Sequence, residues 1–114
     1  MNQVPNIRGP MGLKHKPTPA EISLGREHMG WVAKIPCVIC KCWPVEVHHV
    51  IHDRFSQARA SDFDTIPLCP DHHRELHAGK ATWRKKHGAD YEYLPWVREE
   101  VERLREAEIL GDVF

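Results

Sequence analysis

Apolar and polar positions along the chain follow two rhythms, one helical and one extended. Ile22, Met29, Val32 and Ala33 recur at helical spacing, and the residues before them carry the signals of a helix start. Thr18 can cap, Pro19 suits the first helical position, and Glu21 completes a capping box. A helix from about 19 to 33 is expected, ended by Ile35-Pro36, because the residue before a proline avoids helical geometry. Val45-Glu-Val-His-His-Val-Ile51 is rich in β-branched residues and reads as a strand, and 52–64 as a loop. Thr65-Ile-Pro-Leu68 reads as a short second strand, which Pro67 places at an edge or ends early. Pro70 opens a helix that Gly79 closes, and a further helical piece over 80–87 ends at Gly88. Pro95 opens a last helix with Trp96, Val97, Val101, Leu104 and Ala107 on one face, supported by Arg98–Glu102 and Glu99–Arg103 pairs. Residues 1–17 hold three prolines and two glycines without periodicity and read as a flexible basic arm.

Length changes the picture next. A chain of 114 residues fits one domain, here 18–114, and a domain of that size gains from a staple such as a metal. Without a long apolar run or an apolar signal core, neither a membrane span nor export is expected, and a cytoplasmic location follows. Sixteen basic and sixteen acidic side chains cancel, but unevenly. Arg8, Lys14 and Lys16 lie early, Lys80, Arg84, Lys85 and Lys86 cluster, and Glu99, Glu100, Glu102, Glu106 and Glu108 gather late. A neutral protein can therefore still turn a basic face to phosphate, although each cluster alone reads equally well as a solvated surface.

The richest chemistry is in the middle of the chain. Of nine histidines, six (His48, His49, His52, His72, His73, His77) fall within 30 residues that also hold Cys69, and Cys37, Cys40 and Cys42 precede them. Four cysteines would make two disulfides in a secreted domain. With no export signal and so many histidines close by, metal binding is the better reading. Cys37 and Cys40 are separated by two residues, as are Cys69 and His72, and two such pairs about 30 residues apart have the spacing of a tetrahedral zinc site. Such a turn presents both side chains to one ion, and thiolate with imidazole suits zinc better than magnesium or calcium. Free buried cysteines beside a surface histidine account for the double pair less well. Cys42 is the loose end: a substitute for Cys40, or a free thiol near the site.

A second constellation accompanies it. His48 and His49 are strand neighbours, so their side chains leave by opposite faces of an ideal strand. His73 and His77 are four apart in the helix after Pro70 and share a face. His72 points about 100° away from His73, so one helix can serve two metals.

The pattern Cys37-x-x-Cys40, then Val47-His48-His49, then Asp64-Thr-Ile-Pro-Leu-Cys69-Pro-Asp-His72-His73-Arg-Glu-Leu-His77 resembles the HNH nucleases of phage and bacteria. It is similar in particular to small phage-encoded forms, including the RecA-dependent nuclease type. The likeness covers roughly residues 27–80, including Trp31 ahead of the first cysteine. It implies an α+β domain with a ββα-metal core over about 36–80, a structural zinc knuckle, and flanking N-terminal and C-terminal helices, the latter over 81–110. It implies His49 as general base, with His48, His73 and His77 as ligands of a catalytic ion. Asp64 stands where the family usually has asparagine, and would hold the base histidine or brace its loop. The catalytic ion would be magnesium or manganese, with zinc or nickel as alternatives in a crystal, and Cys37, Cys40, Cys69 and His72 would hold structural zinc.

The expected activity is hydrolysis of DNA phosphodiester bonds with low sequence specificity, of a phage or bacterial DNA-processing type. Arg54, Arg59, Arg74 and Lys80 are candidate phosphate contacts. DNA is the expected partner, a recombinase filament a further one, and a monomer the default state. His52 faces solvent by default, and Trp31, Trp83 and Trp96 read as core. One rival is a non-catalytic zinc module that binds nucleic acid. Another is a protein-interaction domain with a second structural zinc. The first explains the four-ligand site but gives no reason for His49, His73 and His77 to accompany it.

Overall fold

A computed structural model describes residues 16–53 and 59–111, an α+β arrangement of four α-helices and one two-stranded sheet among the described residues. The expected arm lies almost wholly outside the described residues, as does Arg54.

Helix α1 runs Pro19–Val32. Its start is the capping box: Glu21 N donates to Thr18 Oγ1 at 3.1 Å and Thr18 N to Glu21 Oε1 at 2.8 Å. Strand β1 is Glu46–His49 and β2 is Thr65–Leu68, paired antiparallel with Glu46 opposite Leu68 and His49 opposite Thr65. β1 is shorter than the β-branched run of 45–51. Val50 N still reaches Asp64 O at 3.1 Å, but the N–H groups of Ile51 and His52 turn to the Asp90 carboxylate instead. Pro67 sits inside β2 at no cost, since in a sheet of two strands both are edges. Its carbonyl accepts Val38 N–H at 3.1 Å, which ties the Cys37–Cys40 turn to the sheet.

Helix α2 (Pro70–Ala78) starts at the end of β2, and α3 (Lys80–His87) follows after Gly79. A 3-10 turn, Asp90–Tyr93, leads straight into α4 (Leu94–Gly111). β2 is buried along its whole length, and Val32, Ile35, Ile66, Leu68, Leu76, Trp83, Val97 and Val101 close the core around it. Burying side chains of this size stabilises by roughly 1.5–3 kcal/mol each.

The apolar face of α4 is Leu94, Val97 and Val101, with Leu104 half-buried; Trp96 and Ala107 are exposed, unlike the pattern read from sequence. Entry through the 3-10 turn starts the buried stripe at Leu94 and leaves Trp96 outside it, with the Lys41 ammonium 4.6 Å above its ring. Trp83 is core and Trp31 half-buried. Arg98 reaches across to Asp64 at 2.5 Å and Arg103 pairs with Glu100, in place of the expected partners along the helix. Across the loop after β1, Arg84 binds Asp53 through two hydrogen bonds, 2.7 and 3.2 Å, and Tyr91 donates to the same carboxylate at 2.6 Å. No helix among the described residues is long and apolar enough to cross a membrane.

Candidate active site and metal centres

Two clusters of ligand atoms lie on opposite flanks of α2. In the first, the donor atoms of Cys37, Cys40, Cys69 and His72 all lie within 4.8 Å of one another. Local geometry builds it. Lys41 N–H returns to Cys37 O at 2.9 Å and Ile39 N–H to Cys37 Sγ at 3.4 Å, which folds this stretch into a turn with both thiols near one point; Lys41 itself, just past Cys40, has a left-handed φ of 63°. Cys69 is the N-cap of α2, and its sulfur accepts His72 N–H at 3.4 Å, which brings the imidazole of the first turn beside it. Cys40 Sγ and Cys69 Sγ are 3.7 Å apart, and His72 Nδ1 is 3.3 Å from Cys69 Sγ and 3.8 Å from Cys37 Sγ. Tetrahedral zinc with sulfur at about 2.3 Å requires roughly 3.8 Å between sulfurs and slightly less between sulfur and nitrogen. The four donors therefore fit a metal such as zinc.

Burial alone would raise the Cys37 thiol, but backbone hydrogen bonds from Cys69, Cys40 and Ile39 outweigh it and bring it down to about 7, which favours the thiolate a metal needs. Cys42 stands apart, exposed, with its sulfur 3.7 Å from the Cys40 carbonyl. A third group, His72, Glu75 and His87, also converges, but the Lys86 ammonium already sits 2.7 Å from Glu75 and the group reads as an ion pair.

The second cluster is His48, His73 and His77. His48 Nδ1 lies 3.1 Å from His73 Nε2, which lies 3.2 Å from His77 Nε2. The far nitrogens of two of these rings meet carboxylates: His48 Nε2 is 2.8 Å from Asp90 Oδ2, and His73 Nδ1 is 2.7 Å from Glu46 Oε1. An ionised carboxylate only accepts, so both far nitrogens carry the proton. His48 Nδ1 and His73 Nε2 then face each other with lone pairs at 3.1 Å, which is repulsive unless a cation lies between them. A proton can serve, but the third nitrogen suits a metal: imidazoles at about 2.1 Å from one ion have nitrogens about 3.0–3.4 Å apart. Burial lowers the pKa of His48, against the pull of Asp90, and burial also lowers that of His77. Both shifts favour the neutral ligand form.

Strand alternation sends Glu46 and His48 to this cluster and His49 to the other face. There His49 Nε2 lies 2.8 Å from Asp62 Oδ1, both side chains being mostly buried. The carboxylate on the ring is that of Asp62 and not that of Asp64, expected to hold this histidine or to brace its loop. The Asp64 carbonyl takes Val50 N–H and its carboxylate turns outward to Arg98, because the chain is already pairing with β1 at that point. Asp62 lies below it, against α1, where Gly25 leaves room: a Cβ there would come 2.8 Å from Asp62 Oδ2. A glycine inside a helix, which costs about 1 kcal/mol relative to alanine, was the available signal.

His52 is buried, not solvent-facing. Asp90 N–H donates to its Nδ1 at 2.8 Å and its Nε2 donates to Lys80 O at 3.0 Å, which leaves the ring neutral. Its Nδ1 also lies 3.2 Å from Asp90 Oδ1, but that nitrogen is already an acceptor. Arg59, Arg74 and Lys80 are exposed, the first 3.6 Å from Asp62 and the second 3.1 Å from Asp71.

Residues 9–100 match the family DUF968, described as a protein of unknown function. The chain is also similar to the uncharacterized protein YdfU of Escherichia coli (strain K12), 33% identical over 66 residues. That match takes in 56% of this chain but only 19% of the relative, so the chain spans under a fifth of that protein. No solved structure matches.

Proposed function

The chain belongs to the DUF968 family, whose function is unknown, and on the geometry of its histidines we propose that it is a metal-dependent endonuclease of the HNH kind, hydrolysing DNA phosphodiester bonds at a ββα-metal centre. One observation carries the reading. Three imidazole nitrogens converge on a point that needs a cation, and the next residue of the same strand, His49, is held by its own carboxylate. A purely structural metal would account for the first and leave the second without purpose.

The roles follow from hydrogen-bond polarity. Asp62 accepts from His49 Nε2–H, which leaves Nδ1 as the free base. A neutral imidazole with a free ring nitrogen can take a proton as a general base. Nδ1 takes that proton from water as the water oxygen attacks phosphorus and the bond to the 3′-oxygen breaks. Asp62 stabilises the imidazolium so formed and keeps the ring in the required tautomer. When bound by His48, His73 and His77, a divalent ion such as magnesium or manganese supplies positive charge to phosphate oxygens whose negative charge grows as the ester breaks. Zinc on Cys37, Cys40, Cys69 and His72 clamps the first turn to the start of α2, the helix that carries His73 and His77. Arg59, Arg74 and Lys80 contribute phosphate contacts, so binding weakens with salt and depends little on sequence.

The test is plasmid cleavage with magnesium or manganese by wild type and His49→Ala, with zinc measured on both. Nicking or linearisation by wild type alone, at equal zinc, supports the reading. Folded, zinc-loaded wild type that cleaves neither plasmid nor single-stranded DNA in a recombinase filament refutes it and leaves a zinc-binding nucleic-acid module.

A further inference from the structure

Asp90 is fully buried, and burial works against its ionised form. A carboxylate survives there only when every lone pair in reach has a donor. It accepts from His48 Nε2 at 2.8 Å, Ile51 N at 2.7 Å and His52 N at 3.2 Å. Its own N–H donates to His52, whose far nitrogen binds the first residue of α3. The 3-10 turn, the exit of β1 and the start of α3 thus meet on one side chain. Nothing about this network needs a histidine at position 48 if its purpose is packing alone; an apolar residue would fill the same volume without a buried acid to satisfy.

We propose that Asp90 is a positioning residue of the three-histidine centre: it holds the proton of His48 on Nε2, so that Nδ1 faces His73 and His77 as a lone pair. The inference rests on the metal reading of that centre, but not on cleavage. It follows that the centre is complete only when the 3-10 turn is docked on β1, so a segment 42 residues downstream of His48 controls a ligand that belongs to the strand.

The test uses the 114-residue chain loaded with one equivalent of zinc, which the thiolate site takes up, and manganese as probe of the three-histidine centre. Asp90→Asn removes the negative charge and one of the two acceptor oxygens, which weakens the hold on the Nε2 proton of His48. Calorimetric titration is expected to show manganese bound roughly 10- to 100-fold more weakly than by wild type, with zinc content unchanged. Imidazole 15N NMR of metal-free His48 in wild type is expected to show the Nε2–H tautomer, and this measurement stands even if Asp90→Asn does not fold. An Nδ1–H tautomer in wild type, or a folded Asp90→Asn with unaltered manganese affinity, overturns the proposal. His49→Ala is the control that separates the two readings: it should lose cleavage and keep wild-type manganese affinity. Wild type that binds no manganese, magnesium or nickel at this centre sinks both readings together; tight binding with no cleavage sinks only the nuclease.

Discussion

Replacing Cys37 by serine tests the zinc clamp where its effect is largest. Cys37 is fully buried and its sulfur lies 3.8 Å from His72 Nδ1, 35 positions along the chain. A metal joining the two is a cross-link. Closing a loop of that length in the unfolded chain lowers its entropy by an amount worth about 4 kcal/mol at 25 °C. Domains of this size are stable by about 5–15 kcal/mol in all. Losing the link therefore removes a large share of stability and should lower the melting temperature by about 15–30 °C. Scanning calorimetry on Cys37→Ser, with zinc measured on the same sample, checks it. Wild type stripped with a chelator should melt with the variant. Cys42→Ser, on a thiol outside the cluster, should keep both zinc and melting temperature. A zinc-free Cys37→Ser that melts within about 3 °C of wild type would show that the four donors do not clamp the fold, and the chain-entropy argument would be wrong.

Other consequences can be checked on the same preparations. Asp62→Asn offers an N–H to His49 Nε2 and moves the ring proton to Nδ1; cleavage should fall about 10²- to 10⁴-fold while manganese affinity holds, and an unchanged rate would remove Asp62 from the site. Gly25→Ala drives a Cβ to 2.9 Å from Asp62 Cβ, so cleavage should drop despite the better helix propensity of alanine; a rise in melting temperature at full activity would contradict the contact. His28 is buried against Phe63, its Nε2 has no partner among the described residues, and burial, helped by Arg98 and Arg105, lowers its pKa from 6.5. A depressed histidine pKa means the unfolded chain binds the proton first, so stability is full above about 6.5 and declines as pH falls toward the folded value. His28→Met should therefore lose less stability than wild type between pH 7.5 and 5.5 in urea unfolding, and equal losses would refute the assignment.

Whatever local geometry dictates can be read along the chain. The capping box at Thr18, the turn that pairs Cys37 with Cys40, the first-turn pairing of Cys69 with His72 and the shared helical face of His73 and His77 all depend on residues within four positions of each other. Dihedral angles and helical periodicity settle such pairs before any tertiary contact forms. Strand alternation likewise separates His48 from His49. The carboxylates were decided by the tertiary structure alone. Asp62 reaches His49 across 13 positions and Asp90 reaches His48 across 42, and no period in the chain links them. Asp64 was the nearer choice by pattern, yet ladder pairing with Val50 and the pull of Arg98 turn it away. His52 looked like a solvent residue until Asp90 and Lys80 closed around it. The ligand types can be read along the chain because each uses its neighbours. The groups that orient them cannot, because a buried acid is tolerable only where the folded chain brings donors to it from several directions.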